Sequence, residues 1–188
     1  MKRCDTSTSD DALLAHYASG HGDAARLLTD RIAPRLYSFC QRLLQDTAEA
    51  EDVVQEAMLR LWRMAPDWEP GRAKVTTWVF RVASNLCTDR LRKRRSVGLD
   101  EAPDIADDSP SVEAQLITRQ RIAALDAGLA ILPERQRKAV VLRHIEGMTN
   151  PEIAEILEIS VEAVESLTAR GKRALAAALK GQKEELGL

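Results

Sequence analysis

Aromatic residues are scarce in this chain of 188 residues, amounting to 4% in three Trp, two Tyr and two Phe. Runs of β-branched residues are also few, while Ala, Leu, Glu and Arg dominate. That mix disfavours a sheet fold and favours helices throughout. The three cysteines, Cys4, Cys40 and Cys87, form no C-x-x-C pair and are odd in number. They argue against a disulfide framework and for reduced thiols in a cytoplasmic protein. Cys40 and Cys87 sit among apolar neighbours and read as small core residues; Cys4 lies in a polar leader. The three histidines, His16, His21 and His144, are scattered without metal-ligand spacing, so no metal site is expected. No apolar run approaches the roughly 20 residues of a membrane-spanning helix, and no signal peptide is recognisable, which excludes membrane insertion. There is no Gly-rich phosphate loop, no H-E-x-x-H, and no Ser or Cys nucleophile beside a histidine motif. Neither a cofactor nor an enzymatic activity is therefore expected.

Hydrophobic residues make up 45% of the chain, enough for packed cores. The net charge of −2 conceals an internal asymmetry. Residues 1–97 carry 16 Lys/Arg against 13 Asp/Glu, residues 98–114 none against 6, and residues 115–188 carry 11 against 10. Acidity is thus concentrated in one short segment between two neutral-to-basic bodies. That segment, 97–111 (VGLDEAPDIADDSPS), combines two prolines with acidic residues and shows no helical stripe. It reads as a flexible linker between two small all-α domains, 10–96 and 112–188, behind a disordered leader, 1–9.

In the first domain a helix is expected from Ser9 or Asp10. A second carries Ala25, Leu27, Leu28, Ile32, Leu36, Phe39, Leu43 and Leu44, with Pro34 expected to kink or divide it. A third starts at Asp46, with Glu49 three residues on as a capping pair; its stripe is Val54, Met58, Leu61 and Ala65, widened by Val53, Ala57 and Trp62. Asp52 and Glu56 share a face of this helix; such a pair on an exposed stripe is usually a solvated surface, but like charges at that spacing cost a few tenths of a kcal/mol, which a basic partner would help to explain. After a Pro/Gly loop (66–74) comes the helix WVFRVASNLCTDRLRKRR, residues 78–95, entered from about Val75. Val75, Val79, Val82 and Leu86 are expected to face the core. Arg81, Asn85, Thr88 and Arg92, with Ser84 beside them, form a polar side suited to base edges and phosphates. Trp68 and Trp78 are placed to stack on unpaired bases. Arg90, Arg92, Lys93, Arg94 and Arg95 exceed the one or two cations that a helix C-terminus calls for, which points to nucleic-acid contact.

In the second domain a helix runs from near Val112 through Leu129, and Pro133 opens PERQRKAVVLRHIEG, expected to be helical to Gly147. Thr149 and Glu152 then form a capping box for a short helix to about Leu157. A three-residue turn follows, and Ser160 caps a longer basic helix to about Leu179. That is the form of a helix-turn-helix, with Ala154, Leu157, Val161 and Val164 expected between its helices.

In this order the parts resemble the extracytoplasmic-function (ECF) sigma factors of the sigma-70 family. Three stretches carry the likeness, DVVQEAMLRLW (52–62), WEPGRAKVTTWVFRVASNLCTDRLRKRR (68–95) and LPERQRKAVVLRHIEGMTNPEIAEILEISVEAVESLTARGKRAL (132–175). The resemblance implies a non-catalytic initiation subunit of two domains, sigma regions 2 and 4. Asp52, Gln55, Glu56 and Arg60 would bind the β′ clamp helices of core RNA polymerase, whose β flap is a second contact. Trp68, Arg72, Lys74, Thr77, Trp78, Arg81, Ser84, Asn85, Thr88, Arg92, Arg94 and Arg95 would read and hold the opened −10 strand of promoter DNA. Ser166, Ala169, Arg170, Lys172 and Arg173 would meet the −35 duplex. Control by an anti-sigma factor acting in trans is implied, because the chain ends about nine residues beyond its last expected helix. The sequence departs from the family where relatives carry V-K-S-R-L in the recognition helix: here the span begins VESLT, with Glu165 and Leu167 in place of basic residues. An altered −35 preference or weak −35 dependence is expected. Gly171 should weaken the helix by about 1 kcal/mol relative to Ala. A free-standing helix-turn-helix regulator is the rival reading, and it would leave residues 66–95 without a role.

Overall fold

A computed structural model describes the backbone of residues 7–71, 73–97 and 113–186, with side chains over 7–71, 73–96 and 120–180. The expected leader up to residue 6, with Cys4, and almost all of the expected linker lie outside the described residues, as does Arg72. Among the described residues the structure is helical, without a strand. It divides into two compact units, one built from the N-terminal helices and one from the C-terminal helices.

In the first unit, α1 (Asp10–Ala18) starts where the Ser9 hydroxyl accepts the Ala12 N–H. Gly20, at φ 90°, makes the turn into α2 (Gly22–Leu44). Pro34 lies inside α2 without dividing it. Its ring is exposed, so the hydrogen bond it forfeits faces water, while buried Ile32 and Leu36 on either side hold the helix to the core. Asp46 caps α3 (Thr47–Met64) by accepting the Glu49 N–H at 2.9 Å. The stripe that α3 buries is Ala50, Val53, Ala57, Met58 and Leu61; Val54, expected within it, is only half-buried. The inward face is set by α2 and α4 together, which bury Val53, Ala57, Met58, Leu61 and Ala65 as expected and leave Val54 and Trp62 at its margin. A short 3₁₀ turn (Ala65–Asp67) leads to the loop before α4 (Val75–Val97). Phe39 of α2 and Phe80 of α4 meet at 5.4 Å between ring centres, and Tyr17 of α1 lies tilted against Trp62 of α3 at 4.7 Å. Cys40 and Cys87 are buried, and contact with Cys87 together with burial pushes the Cys40 thiol far up, so it stays protonated.

In the second unit, α5 (Glu113–Ala130) is followed by α6 (Glu134–Val140). Pro133 is the residue before α6, not its first position. The Arg137 side chain donates to the carbonyls of Ala130 and Leu132, satisfying the end of α5; burial lowers its pKa. The helix expected to run to Gly147 changes at Val141 into a single π turn (Val141–Ile145), with the Glu146 N–H bonding to the Val141 carbonyl. Gly147 at φ 70° and a bond from Arg143 to the Met148 carbonyl close that end. Next come α7 (Asn150–Leu157) and α8 (Val161–Leu186), which continues well past the expected Leu179.

Gly171 of α8 explains itself only in three dimensions. A Cβ there would stand 2.6 Å from Val140 Cγ2 and 3.3 Å from the Gln136 carbonyl. Glycine is what lets α6 and α8 approach this closely, so its intrinsic helix cost is offset by packing.

Candidate nucleic-acid and polymerase interfaces

On α4 the buried residues are Val75, Thr77, Val79, Phe80, Ala83, Ser84 and Cys87. Thr77 and Ser84, expected on the DNA side, are each 2% exposed and belong to the core. Val82 and Leu86, expected inside, are half-exposed. The helix is wedged against both α2 and α3, so its covered arc is centred on Phe80, Ala83 and Cys87 and takes in the small hydroxyl residues beside them. What remains outward is Arg81, Asn85, Thr88 and Arg92. Asn85 is exposed and Arg81 half-buried, and the Thr88 hydroxyl is turned back onto the Ser84 carbonyl at 2.9 Å. Trp68 and Trp78 lean edge to face at 6.4 Å, and the Trp68 indole donates to Asp11 of α1 at 3.1 Å. The loop is therefore fixed to α1 through a residue, Asp11, that sequence reading did not single out. Lys74, whose carbonyl accepts the Trp78 N–H, stands exposed at the start of α4.

The basic run at the end of α4 splits into two groups. Arg94, expected on DNA, points inward. It donates to the Leu44 carbonyl at 2.9 Å and to Asp46 at 3.1 Å, and it pairs with Glu49 at 2.9 Å. Its guanidinium thus ties the end of α2 and the cap of α3 to the end of α4, across 48 positions of sequence. Glu49, read as half of a capping pair, gives its backbone N–H to Asp46 and its carboxylate to this cation. Arg90 reaches Asp52 at 3.5 Å, and Arg92 pairs with Asp89 at 2.9 Å while staying exposed. Lys93 and Arg95 are exposed.

Along α3, Asp52, Gln55 and Arg60 are exposed, and Glu56 is bonded to Arg60 at 2.7 Å. The acidic pair Asp52 and Glu56 therefore has partners within the chain, Arg90 and Arg60, and the basic partner inferred for it is partly internal. Val54 and Gln55 line a shallow groove with Ala33, Pro34 and Tyr37 of α2, rimmed by Asp30 and Glu51.

In the helix-turn-helix, the Thr149 N–H and hydroxyl both donate to Glu152, at 2.8 and 2.7 Å. Glu158 takes the left-handed conformation at φ 54° in the three-residue turn, and the Ser160 hydroxyl accepts the Ala163 N–H at 3.2 Å. Glu162, in the first turn of α8, has its pKa lowered by backbone and Ser160 hydrogen bonds. Ile153 and Ile156 of α7 and Val164 of α8 are buried, whereas Ala154, Leu157 and Val161 are only half-buried. Ser166, Ala169, Arg170, Lys172 and Arg173 are all exposed on α8. Arg170 is turned back onto the Ser166 carbonyl at 3.3 Å, and Asn150 of α7 donates to Glu165 at 3.3 Å. His144, exposed in the π turn, has its pKa lowered by partial desolvation and by the nearby Lys172 and Arg143 cations.

An all-helical chain with one unit exposing Asn, Arg and paired Trp, and another built on a helix-turn-helix, has the form of a DNA-binding transcription protein. Comparison with known proteins narrows the class. Residues 28–97 match the family model for Sigma-70 region 2, and residues 122–175 that for Sigma-70, region 4. The RNA polymerase sigma factor CnrH of Cupriavidus metallidurans is 31% identical over 187 residues, covering 94% of this chain and 97% of its own. The ECF RNA polymerase sigma factor SigW of Bacillus subtilis is 30% identical over 167 residues, covering 83% of this chain and 89% of its own. Among solved structures, CnrH in complex with the cytosolic domain of CnrY is 28% identical with a TM-score of 0.71, covering 94% of this chain and 99% of that one. The chain belongs to the sigma-70 family, in its ECF group, and is a sigma factor directing promoter-specific transcription initiation.

Proposed function

We propose that the first unit docks on the clamp helices of core RNA polymerase through Asp52, Gln55, Glu56 and Arg60, and holds the opened −10 strand on the outward side of α4. The second unit places α8 in the major groove of the −35 element and meets the polymerase β flap. The observation that carries this reading is α4 itself. Its outward side keeps an exposed amide, Asn85, between Arg81 and Arg92, while its other side is core. The amide suits a base edge, and the cations suit the phosphates on either side. Lys74, Trp68, Trp78 and Arg95 extend that surface, and stacking at about 1–3 kcal/mol per base offsets the cost of unpairing. Arg94 leaves this surface and becomes a positioning residue, with Thr77 and Ser84 as core. The acidic groove rim on α2 and α3 supports a basic partner surface on the polymerase.

A net charge of −2 fits a subunit that binds DNA poorly without polymerase, since affinity follows the number of phosphates neutralised. The role is non-catalytic and cytoplasmic. Control by an anti-sigma factor is supported by the likeness to CnrH, whose structure was solved with the cytosolic domain of CnrY. Run-off transcription with core polymerase is the test. Added protein should direct initiation from a cognate promoter and bind free duplex weakly. Tight duplex binding without any directed initiation would favour the free-standing regulator.

A further inference from the structure

Glu165 stands in the second turn of α8, exposed, where the second helix of a helix-turn-helix presents its first residues to base edges. Its side chain is held from outside its own helix. Asn150, the first residue of α7, donates from Nδ2 to Glu165 Oε1 at 3.3 Å, and among the described residues Oε2 has no partner. Ala169, one turn further along the same stripe, is exposed and small, leaving space beside the carboxylate. Arg170, Lys172 and Arg173 follow and offset its repulsion from phosphates.

A carboxylate can only accept. In the major groove guanine offers acceptors and thymine an acceptor and a methyl, so both repel or fail to engage it. Adenine has an amino group with the N7 acceptor directly beside it, whereas cytosine presents its N4 amino group alone. We propose that Glu165, oriented by Asn150, selects cytosine at one position of the −35 duplex by accepting from N4. This rests on the reading that α8 enters that groove.

The test is selection by holoenzyme, reconstituted with the full chain, from a promoter pool randomised over the −35 region. The wild-type protein should enrich cytosine at one position by about 10-fold over the other bases. E165R should move that position to guanine, and E165Q should move it to adenine, each leaving other positions unchanged. N150A should weaken the cytosine preference without changing retention of core polymerase. If E165Q and E165R select the same bases as wild type and only shift overall affinity, Glu165 acts through its charge on phosphates and the proposal is overturned. If the holoenzyme initiates yet wild-type selection shows no preference anywhere in the −35 region, the placement of α8 fails first. Thermal melting of E165Q, which differs by one atom type, controls for folding.

Discussion

Replacing Arg94 by Ala separates a structural cation from a DNA-binding one. The substitution strands the Leu44 carbonyl at the end of α2 and leaves Asp46 and Glu49 facing each other without their shared cation. The Arg94 side chain is 24% exposed, and those of Asp46 and Glu49 are 32% and 30% exposed. Full desolvation of the pair therefore does not apply, and neither does the near-zero value of a surface ion pair. Hydrogen bonds to charged groups contribute about 1.5–3 kcal/mol, and the three interactions share one guanidinium, so a loss of roughly 2 kcal/mol is expected for the first unit. For a unit of this size that lowers the melting temperature by on the order of 10 °C. The assay is intrinsic fluorescence of the full chain, because Trp62, Trp68 and Trp78 all lie in the first unit and report its unfolding alone. Arg94→Lys should recover only part of the loss, since an ammonium lacks the planar fork that reaches a carbonyl and two carboxylates together. Arg92→Ala should leave the melting temperature unchanged. If Arg94→Ala melts with wild type while impairing promoter opening, the inward assignment is wrong and the residue belongs to the DNA surface.

Asn85→Ala should lower promoter opening, read by permanganate footprinting, far more than it lowers binding to core polymerase; equal loss of both would contradict its role. Gly171→Ala should destabilise the second unit by roughly 1–3 kcal/mol through overpacking against Val140, despite the gain in helix propensity. Adding Val140→Ala should recover part of that, read by hydrogen exchange in α6 and α8. Ser160→Ala should cost about 1 kcal/mol in the same readout. Because the Glu162 carboxyl is held below its ordinary 4.5, its contribution is present above that pH and fades as pH falls through the folded-state value. Glu162→Gln should flatten the acid limb of the stability profile, and an unchanged limb would remove Glu162 from the account.

Much of this protein was legible in the chain itself. The caps at Ser9, Asp46, Thr149 and Ser160, the loop around Pro66 and Gly71 and the helix-turn-helix spacing are local events, decided by residues three or four apart. The order of these parts carried the family resemblance. Which side of each helix turns inward was not local. Thr77 and Ser84 are buried, and Val54, Val82 and Leu86 are half-exposed, because α3 and α4 each pack on two neighbours at once. Polarity also misled for Arg94, which looked like its exposed neighbours until Asp46 and Glu49 were brought beside it. Asp11 on the Trp68 loop, Asn150 beside Glu165 and the close passage of α6 over Gly171 likewise pair residues far apart in sequence. The chain alone marks where most helices start and where charge lies, since those terms are short-ranged, whereas the π turn at Val141 and the length of α8 were not legible in it. Only the packed structure decides which charges remain for a partner, because desolvation and ion pairing depend on neighbours that the fold supplies.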